Sequence, residues 1–513
     1  MAPGSPSITE AMHRALLPPD LPVLPDLDLS AAYLMMPEEQ ATCGDWFDAV
    51  TLPNGCVALA VGDVVGDGPK ATAAMGRLRA VTSEFMIETS DVVGTVDRLD
   101  HYAGRQPEAF ATTVCVGVLD PLSGGLSYAT AGHPPPVLVG AGKQPCLLPH
   151  TGGGPLGTGI RAQAGEARLD LGDVMIMFTN GLVARPSRSW SDGMTTMAQL
   201  VENLLEMPSI GRERLAVDLV CQTLIATLGE SCDRDDGAVL AAQRHAATRP
   251  LDVSVPAEPA ELARLRAAVH RWTTTLHLSE HDQYAVEFVI SEAAANSIDH
   301  GYRGRQDDRG RQAEVQAHAG LTRSGSIELS IDDRGAWVEP RPRTDGRGLG
   351  LSMIEDLTDD LLVTPHDLGT TVTMSRRPRR CTTIAQHSAG RQSQPAVDFG
   401  VDVRLTQKMI MVHGPIDLAT DAELDVVLQS TAGTPAMTID LSGVTHLASA
   451  GVRVLHRHAR RAPETVFVVR DSSPVAYLLD LVALPGLEIV IDSSDARGDD
   501  SPHDAPGSAK TGA

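Results

Sequence analysis

The sequence predicts a multidomain α+β protein, and three observations support this fold class. The 513 residues are enough for three or four domains, each with its own core. Runs with the two-residue period of strands alternate with runs that carry the apolar stripe of helices. Two polar stretches, residues 375–395 and 494–513, interrupt this pattern. We interpret them as a linker and a disordered tail, and the arginine-rich residues 376–380 as a solvated junction.

Composition excludes several classes of function. The net charge of −24 argues against nucleic acid or an anionic membrane as a direct partner. Aromatic residues make up only 3% of the chain, so stacking platforms for single strands are not expected. The seven cysteines form no CxxC pair, which suits a reducing compartment. With no signal-peptide pattern and no membrane-length apolar run, we expect a cytoplasmic protein.

Acidic residues recur at the ends of predicted strands in residues 1–243. Asp63 and Val64 follow the apolar strand 57–61, Asp45 lies between a glycine and an aromatic pair, and Asp235 precedes another apolar run. Carboxylate and carbonyl oxygens suit hard cations such as Mg²⁺ or Mn²⁺. Two such ions can place a hydroxide in line with a phosphate. For any one of these acids, a simple preference for turns explains its position better.

Together these motifs resemble the PP2C-type phosphatases of the SpoIIE/RsbU branch over residues 8–244. The matching motifs are Leu16-Leu17-Pro18-Pro19, residues 44–48, residues 62–68, Ala131-Gly132-His133-Pro134-Pro135, Gly154-Pro155-Leu156-Gly157, residues 178–182 and Asp235-Asp236. The resemblance implies a β-sandwich with flanking helices that binds Mn²⁺ or Mg²⁺. Asp63 would bridge two ions, helped by the Val64 carbonyl, and Asp45 and Asp235 would complete the cluster. The substrate would be a phosphoserine or phosphothreonine on a regulatory protein.

Two positions depart from that pattern. Asn180 stands where the family has Asp, and Asp67 stands where it has His. Asparagine keeps an oxygen ligand but loses a negative charge, so we expect weakened metal binding and a slow or inactive phosphatase. Histidine titrates near neutrality, in the range useful for catalysis, but His133 sits beside prolines in a stiff loop, and we predict a structural role.

Three short motifs follow in order between residues 291 and 350. Glu292 and Asn296 are four apart on a predicted helix, so they share one face. Asp333 ends a predicted strand, and an aspartate there can accept a hydrogen bond from an adenine amino group. Gly335 would let the backbone approach the ring. An ordinary helix, turn and loop would explain each motif taken singly.

The third motif is a glycine triplet, Gly346, Gly348 and Gly350, whose backbone N–H groups can bind phosphates. With Gly369-Thr370-Thr371 after them, the motifs resemble the GHKL ATPases, and within these the anti-sigma-factor serine kinases, over residues 257–377. The resemblance implies an α/β sandwich that binds ATP and Mg²⁺.

By this resemblance Glu292 is the base for the attacking hydroxyl, Asn296 holds Mg²⁺ and Asp333 reads adenine, with Thr371 as a further nucleotide contact. The alternative of a sensor histidine kinase would need an acceptor histidine. His270 has no acceptor motif around it, and we predict that it is a surface or packing residue.

Strands and helices alternate again in residues 396–493, which predicts a mixed sheet with helices on one side. Residues 414–419 and 439–445 resemble STAS domains, the anti-sigma-factor antagonists. The family's phosphoacceptor lies at the start of the next helix, where this chain has Ala448-Ser449-Ala450-Gly451. Ser449 is the candidate phosphoacceptor, and a role as helix N-cap is an equal alternative.

The predicted domains are 1–244 (phosphatase), 257–377 (kinase), 396–493 (STAS) and a tail, 494–513, with a linker at 378–395. They predict a partner-switching regulator whose partners are a STAS-type antagonist and a sigma factor or anti-sigma factor. A non-catalytic scaffold that binds ATP and sequesters these proteins is the alternative. The sequence leaves a homodimer open.

Overall fold

The computed structural model describes residues 8–35, 44–66, 68–183, 190–206, 215–229, 236–298, 313–335, 349–366, 369–386, 399–416, 420–431, 436–447, 449–470, 473–481 and 484–490. Strands β1–β23 and helices α1–α11 are numbered along the chain. No helix within these ranges is both long and apolar enough to cross a membrane.

The N-terminal region is a sandwich of two sheets with helices on the outside. Its helices are α1 (Ile8–Leu16), α2 (Gly68–Thr89), α3 (Val92–Ala103), α4 (Trp190–Leu205) and α5 (Ala216–Gly229). Its strands are β1 (Asp20–Pro22), β2 (Leu27–Met35), β3 (Asp45–Thr51), β4 (Val57–Asp63), β5 (Thr113–Leu119), β6 (Gly125–Ala131), β7 (Val137–Val139), β8 (Cys146–Leu147), β9 (Gly165–Arg168), β10 (Val174–Phe178) and β11 (Gly237–Arg244). Two short strands from later in the chain, β17 (Arg379–Cys381) and β18 (Thr383–Gln386), join this region.

The strand order is β3-β4-β5-β6-β9 in one sheet and β18-β2-β11-β10-β7-β8 in the other. Residues such as Tyr33, Phe47 and Leu240 fill the core in which the two sheets pack together, and each is at most 1% exposed. A second core, which includes Phe178 and Leu224, joins the six-stranded sheet to α4 and α5. Because both faces of that sheet are covered, β10 is buried at all five positions.

The central region is one five-stranded sheet packed on helices. Its elements are β12 (Leu251–Pro256), α6 (Leu262–Thr275), α7 (Glu280–Asn296), β13 (Glu314–Leu321), β14 (Ile327–Asp333), α8 (Leu349–Leu357), β15 (Asp360–His366) and β16 (Gly369–Arg376), with strand order β12-β13-β14-β16-β15. Alternate residues of β14 are buried, because only one face of the sheet packs on the helices. The predicted multidomain α+β fold class is confirmed.

Tyr284 lies on the exposed side of α7. This residue is 60% exposed, and its ring stacks on Phe288 with centroids 6.0 Å apart. The buried face is formed instead by residues such as Val286, Val289 and Ile290. His270 is exposed, with Nδ1 2.8 Å from a carboxylate of α7, in agreement with its interpretation as a surface residue.

The C-terminal region contains β19 (Gly400–Arg404), β20 (Met409–Ile416), α9 (Asp421–Thr431), β21 (Thr438–Leu447), α10 (Ser449–Arg461), β22 (Val466–Arg470), α11 (Pro474–Leu481) and β23 (Leu487–Val490). The first strand is antiparallel to its neighbour, and the remaining pairs are parallel. The sheet is therefore mixed, as the sequence predicts. Its identification as a STAS domain stays a prediction.

The interpretation of residues 376–380 as a solvated junction is wrong. The side chains of Arg376 and Arg380 are only 16% and 9% exposed, and each forms an ion pair. Strand β17 pairs with β1, and β18 pairs with β2 in parallel. The predicted linker 378–395 therefore begins with two ordered strands, and Arg376 and Arg380 pair with Asp282 and Asp28, which sequence composition cannot reveal.

Candidate functional site

The register of β3 and β4 places Asp45 directly opposite Asp63, at the end of both strands. Directly opposed residues of an antiparallel pair have Cα atoms about 4.5–5.5 Å apart. Asp45 is 3% exposed, and its Oδ2 accepts a hydrogen bond from Thr179 Oγ1 at 2.6 Å. Two of the predicted metal ligands are thus brought together.

Thr179 forms two hydrogen bonds with the backbone of Ala238 in β11. Its N–H donates to the Ala238 carbonyl at 3.0 Å, and the Ala238 N–H donates to its Oγ1 at 2.9 Å. The hydroxyl therefore has one proton to give, and it gives it to Asp45. This arrangement fixes a carboxylate of one sheet against the end of a strand in the other sheet.

The Val64 carbonyl lies close to Gly44. The Val64 N–H donates to the Gly44 carbonyl at 3.1 Å, and a Cβ built on Gly44 would lie 2.1 Å from the Val64 oxygen. Only glycine permits this approach, since any side chain would overlap the carbonyl. The glycine before Asp45 thus leaves room for the predicted carbonyl ligand.

Asn180 begins a 3-10 helix, Asn180–Leu182, directly after Thr179. Its Oδ1 is buried, and among the described residues no hydrogen-bond donor reaches it. A buried amide oxygen without a partner is costly, and a cation would satisfy it. Together with Asp45 and Asp63, this oxygen fits a divalent metal by ligand chemistry.

The remaining predicted ligand, Asp235, and Asp67 lie outside the described residues. The next residue, Asp236, is fully buried and accepts a hydrogen bond from the Tyr33 hydroxyl at 2.8 Å. Within the described ranges, no group of three or more His, Cys, Asp or Glu side chains forms a metal cage.

His133 bridges the two sheets. Its Nε2 lies 3.1 Å from the Phe178 carbonyl, which can only accept, so Nε2 carries the proton and Nδ1 accepts from Thr113 Oγ1 at 2.8 Å. Burial lowers the pKa of His133 to about 3. A neutral imidazole with both ring nitrogens hydrogen-bonded agrees with the predicted structural role.

On the central sheet, Asp333 is 6% exposed at the end of β14. Its Oδ1 accepts a hydrogen bond from the Gly335 N–H at 2.8 Å. Burial raises the pKa of Asp333, while hydrogen bonds from the Ser297 side chain and the Thr370 backbone act in the opposite direction. Ser297 directly follows Asn296, so this bond joins the end of α7 to Asp333.

Glu292 and Asn296 both lie in the last turns of α7 and are both partly exposed, while Ala293 and Ala294 between them pack into the core. The helix begins with Ser279 as its N-cap. Both predicted polar groups are thus presented at the end of the helix that contacts Asp333.

Thr371 does not lie with Asp333, and here the prediction is corrected. Thr371 faces Asp332 on the outer face of the sheet and donates its hydroxyl proton to that carboxylate. Thr370 pairs with Asp333 in register and is 3% exposed. Because strand side chains alternate, the threonine on the helix-covered face is Thr370.

Gly369 begins β16 at a φ of +150°, and a Cβ there would lie 1.8 Å from the Asp333 carbonyl. This close approach explains the glycine before the threonines. Of the predicted triplet, Gly346 and Gly348 lie outside the described residues, and Gly350 is the second residue of α8. Ser449 is the first residue of α10, and its role as a phosphoacceptor stays a prediction.

Sequence reasoning missed three polar side chains: Thr179, Ser297 and Tyr33. The first two are neighbours of predicted site residues, so adjacency offered a weak signal. Tyr33 lies 203 positions from the aspartate it contacts, and nothing in the sequence marks that pair.

Comparison with known proteins finds one family match in the N-terminal region and another in the central region. Residues 53–245 match the family described as Stage II sporulation protein E (SpoIIE), and residues 255–376 match the family described as Histidine kinase-like ATPase domain. A crystal structure of the RsbU and RsbW domains of Rv1364c from Mycobacterium tuberculosis is 31% identical, with a TM-score of 0.63. The match covers 72% of this chain and 98% of that one.

Two further relatives match single parts of the chain. Anti-sigma F factor of Halalkalibacterium halodurans is 25% identical over 138 residues, which are 25% of this chain and 90% of that protein. Protein IcfG of Synechocystis sp. is 26% identical over 258 residues, which are 44% of this chain. The match spans only 40% of the length of IcfG.

Proposed function

The chain belongs to the family of paired RsbU and RsbW domains, and on that premise we propose two activities for it. It is a partner-switching regulator with a PP2C-type phosphatase domain and an anti-sigma kinase-like domain. The first domain removes phosphate from a phosphoserine or phosphothreonine of an anti-sigma-factor antagonist. The second transfers the γ-phosphate of ATP to a serine and binds a sigma factor. The C-terminal region is a STAS-type module whose candidate phosphoacceptor is Ser449.

In the phosphatase domain, Asp45, Asp63, Asp235 and the Val64 carbonyl hold Mn²⁺ or Mg²⁺. When bound, such ions neutralise charge on the phosphate and activate the nucleophile. Thr179 keeps Asp45 turned toward the site by donating to its Oδ2. Asn180 adds an oxygen without a charge, so this domain binds its metal more weakly than one with a carboxylate there.

In the kinase domain, catalysis depends on positioning and electrostatics more than on covalent chemistry. Glu292 accepts the proton of the attacking serine hydroxyl, and Asn296 on the same helix face holds Mg²⁺ against the phosphates. Asp333 accepts a hydrogen bond from the adenine amino group in addition to those from Gly335, Ser297 and Thr370, since a carboxylate offers about four acceptor sites.

The glycines line the nucleotide. Gly335 gives the adenine ring access to the backbone, and Gly346, Gly348 and Gly350 donate N–H groups to the phosphates. Thr370, on the face of Asp333, takes the role that the sequence assigned to Thr371.

The observation that carries the proposal is that polar groups singled out by the sequence meet at one end of each of two sheets. Asp45 and Asp63 are opposite neighbours in register, and Asp333 is hydrogen-bonded by the residue that follows Asn296. Two separate phosphate-handling sites on one chain support a regulator that both attaches and removes phosphate.

The test compares wild type with Asp63→Asn and Glu292→Ala in the full chain. We expect Asp63→Asn to reduce Mn²⁺-dependent phosphate release from a phosphorylated antagonist by about 100-fold or more, a typical loss when a group that stabilises the transition state is removed. Transfer from γ-labelled ATP should stay within about twofold. Glu292→Ala should show the reverse pattern.

Mass spectrometry of the antagonist, and of Ser449, reports both reactions in one sample. If wild type performs neither reaction while it still binds ATP and a sigma factor, the chain is the non-catalytic scaffold instead. Loss of both activities in either single variant would contradict the assignment of separate sites.

A further inference from the structure

The chain that leaves the kinase domain does not continue directly to the C-terminal region. Residues 379–381 pair with β1, and residues 383–386 add a parallel strand to the edge of the phosphatase sheet. We call residues 376–386 the strap. It is the last part of the kinase sheet at one end and an edge strand of the phosphatase at the other.

The strap is anchored to both helices beside the nucleotide site. Arg376 donates from Nε and Nη2 to Asp282 Oδ1, at 2.9 and 2.7 Å, and from Nη1 to the Leu357 carbonyl at 2.7 Å. Asp282 lies in the first turn of α7, and Leu357 is the last residue of α8. The Arg379 N–H also donates to Asp282 Oδ2.

Those two helices carry the predicted nucleotide contacts at their other ends. Asn296 is the last residue of α7, and Gly350 lies in the first turn of α8. A shift of either helix on nucleotide binding therefore moves the partners of Arg376. Because the Arg376–Asp282 pair is mostly buried, the strap is held firmly to whichever position the helices take.

Arg380 joins the two domains. Its Nη1 donates to the Leu29 carbonyl at 3.2 Å and lies 3.5 Å from Asp28 Oδ1, both in the phosphatase domain. Its Nη2 lies 3.4 Å from the Leu276 carbonyl at the end of α6, in the kinase domain. The side chain is 9% exposed, so these contacts are shielded from solvent screening.

Beyond Arg380 the strap enters the phosphatase cores. Ile384 lies opposite Tyr33 in register and packs on the core between the sheets, while Ala385 packs on the core beneath α4 and α5. Tyr33 in turn donates its hydroxyl proton to Asp236, whose preceding residue is the predicted metal ligand Asp235. The strap thus borders β2, whose Tyr33 is bonded to the residue that follows a predicted metal ligand.

We propose that the strap couples the two sites, so that nucleotide bound in the kinase domain changes the metal affinity of the phosphatase domain. Within this device Tyr33 is a positioning residue that acts through Asp236. The inference rests on the proposed function for the identity of the two ligands. Coupling between sites is reciprocal and ranges from about 5- to 150-fold in affinity.

The test uses the full chain with and without ADP at constant Mg²⁺, since ADP cannot transfer a γ-phosphate. One readout is the Mn²⁺ concentration for half-maximal hydrolysis of p-nitrophenyl phosphate. The other is hydrogen exchange of residues 27–35 and 237–244, which needs no catalysis. In wild type we expect ADP to change both by about fivefold or more, the lower end of typical coupling.

Arg380→Gln should reduce both changes to less than about twofold. ADP should still bind, with an affinity measured by calorimetry that differs from wild type by no more than the coupling factor itself, because Arg380 touches neither ligand and coupling is reciprocal. Arg98→Gln is the matched control, since Arg98 pairs with exposed Glu88 and lies over the Phe85 ring, both on the phosphatase domain. It should retain the full response. If Arg380→Gln does not fold, Arg380→Lys takes its place, because lysine keeps the positive charge but lacks the planar guanidinium that contacts both domains.

The outcomes separate the two proposals. An ADP response of equal size in wild type and the Arg380 variant, or no response in wild type that binds both ligands, would overturn the coupling. An inactive phosphatase whose exchange still responds to ADP through Arg380 would leave the coupling standing and remove the proposed phosphatase activity.

Discussion

The metal site and the nucleotide site hold their key aspartates in different ways. Asp45 is fixed by Thr179, 134 positions away and in the other sheet. Asp333 is fixed by Gly335, two positions away, and by Ser297 at the end of the helix packed on the same sheet. The metal site therefore depends on correct stacking of two sheets, whereas the nucleotide site depends on one helix and one strand. Changes in the sandwich should damage the first and spare the second.

After the loss of the metal ligand itself in Asp63→Asn, the largest effect is expected for Thr179→Val, which keeps the side-chain shape but removes the hydroxyl. It removes the Thr179 hydrogen bond to Asp45 and leaves the Ala238 N–H buried without its acceptor, at a cost of about 1–3 kcal/mol. If this free energy is lost from stabilisation of the transition state at the metal site, the rate of phosphate release falls about 10- to 100-fold. ADP affinity, measured by calorimetry, should not change.

Thr196→Val is the control for this change, because the Thr196 hydroxyl donates to the Asp192 carbonyl within its own helix, α4, in a solvent-exposed bond. We expect it to retain phosphate release. Equal losses in both variants, or a parallel loss of ADP affinity, would show that the two sites are not independent in this respect.

The second prediction uses acid. The pKa of His133 is lowered from 6.5 to about 3 by burial, so below pH 6.5 the unfolded chain binds a proton that the folded chain refuses. Stability from this group is complete above pH 6.5 and falls as the pH drops toward 3. Between pH 7 and pH 5 the loss is about 2 kcal/mol.

Asp333 responds in the opposite direction. Its raised pKa means that the folded kinase domain binds a proton more readily than the unfolded one, so acid does not destabilise the domain through this group. Hydrogen exchange resolved by domain at pH 7 and pH 5 should therefore show the phosphatase domain opening first. Simultaneous opening, or earlier opening of the kinase domain, would contradict this assignment.

The sequence could predict which residue types gather at each site but not all of their geometry. Asp45, Asp63 and Asp333 were found because acids at strand ends are a local pattern. Thr371 was chosen over Thr370 because the helix-covered face of β16 is unknown until its neighbours are placed. Thr179 could not be assigned a partner, since its bond to Asp45 exists only after the two sheets stack.

The strap illustrates the same limit at larger scale. The strap is rich in arginine, as linkers often are. The acids that pair with Arg380 and Arg376, Asp28 and Asp282, lie far away in the sequence. Composition reports the average preference of a residue type for solvent. It cannot report that a particular guanidinium has found a buried carboxylate.

The third prediction concerns the missing charge at the metal site. Asn180→Asp adds a carboxylate where the buried Oδ1 has no donor among the described residues. We expect the Mn²⁺ concentration for half-maximal phosphate release to fall about tenfold, equivalent to about 1.4 kcal/mol of metal binding. Wild type that already turns over at full speed, with no gain in Asn180→Asp, would show that the charge is not limiting.

The smallest effect belongs to the nucleotide site. Ser297→Ala removes one of several hydrogen bonds to Asp333, and a single such bond to a charged group contributes about 1.5 kcal/mol or less when others remain. We expect ADP affinity to weaken about 5- to 10-fold, with phosphate release unchanged. Ser291→Ala, on the same helix, removes a hydroxyl that donates only to the Glu287 carbonyl, and it should leave ADP affinity intact. A result in which Ser297→Ala instead reduces phosphate release while Ser291→Ala does not would contradict the prediction. It would show that the C-terminal end of α7 affects the phosphatase domain even without nucleotide.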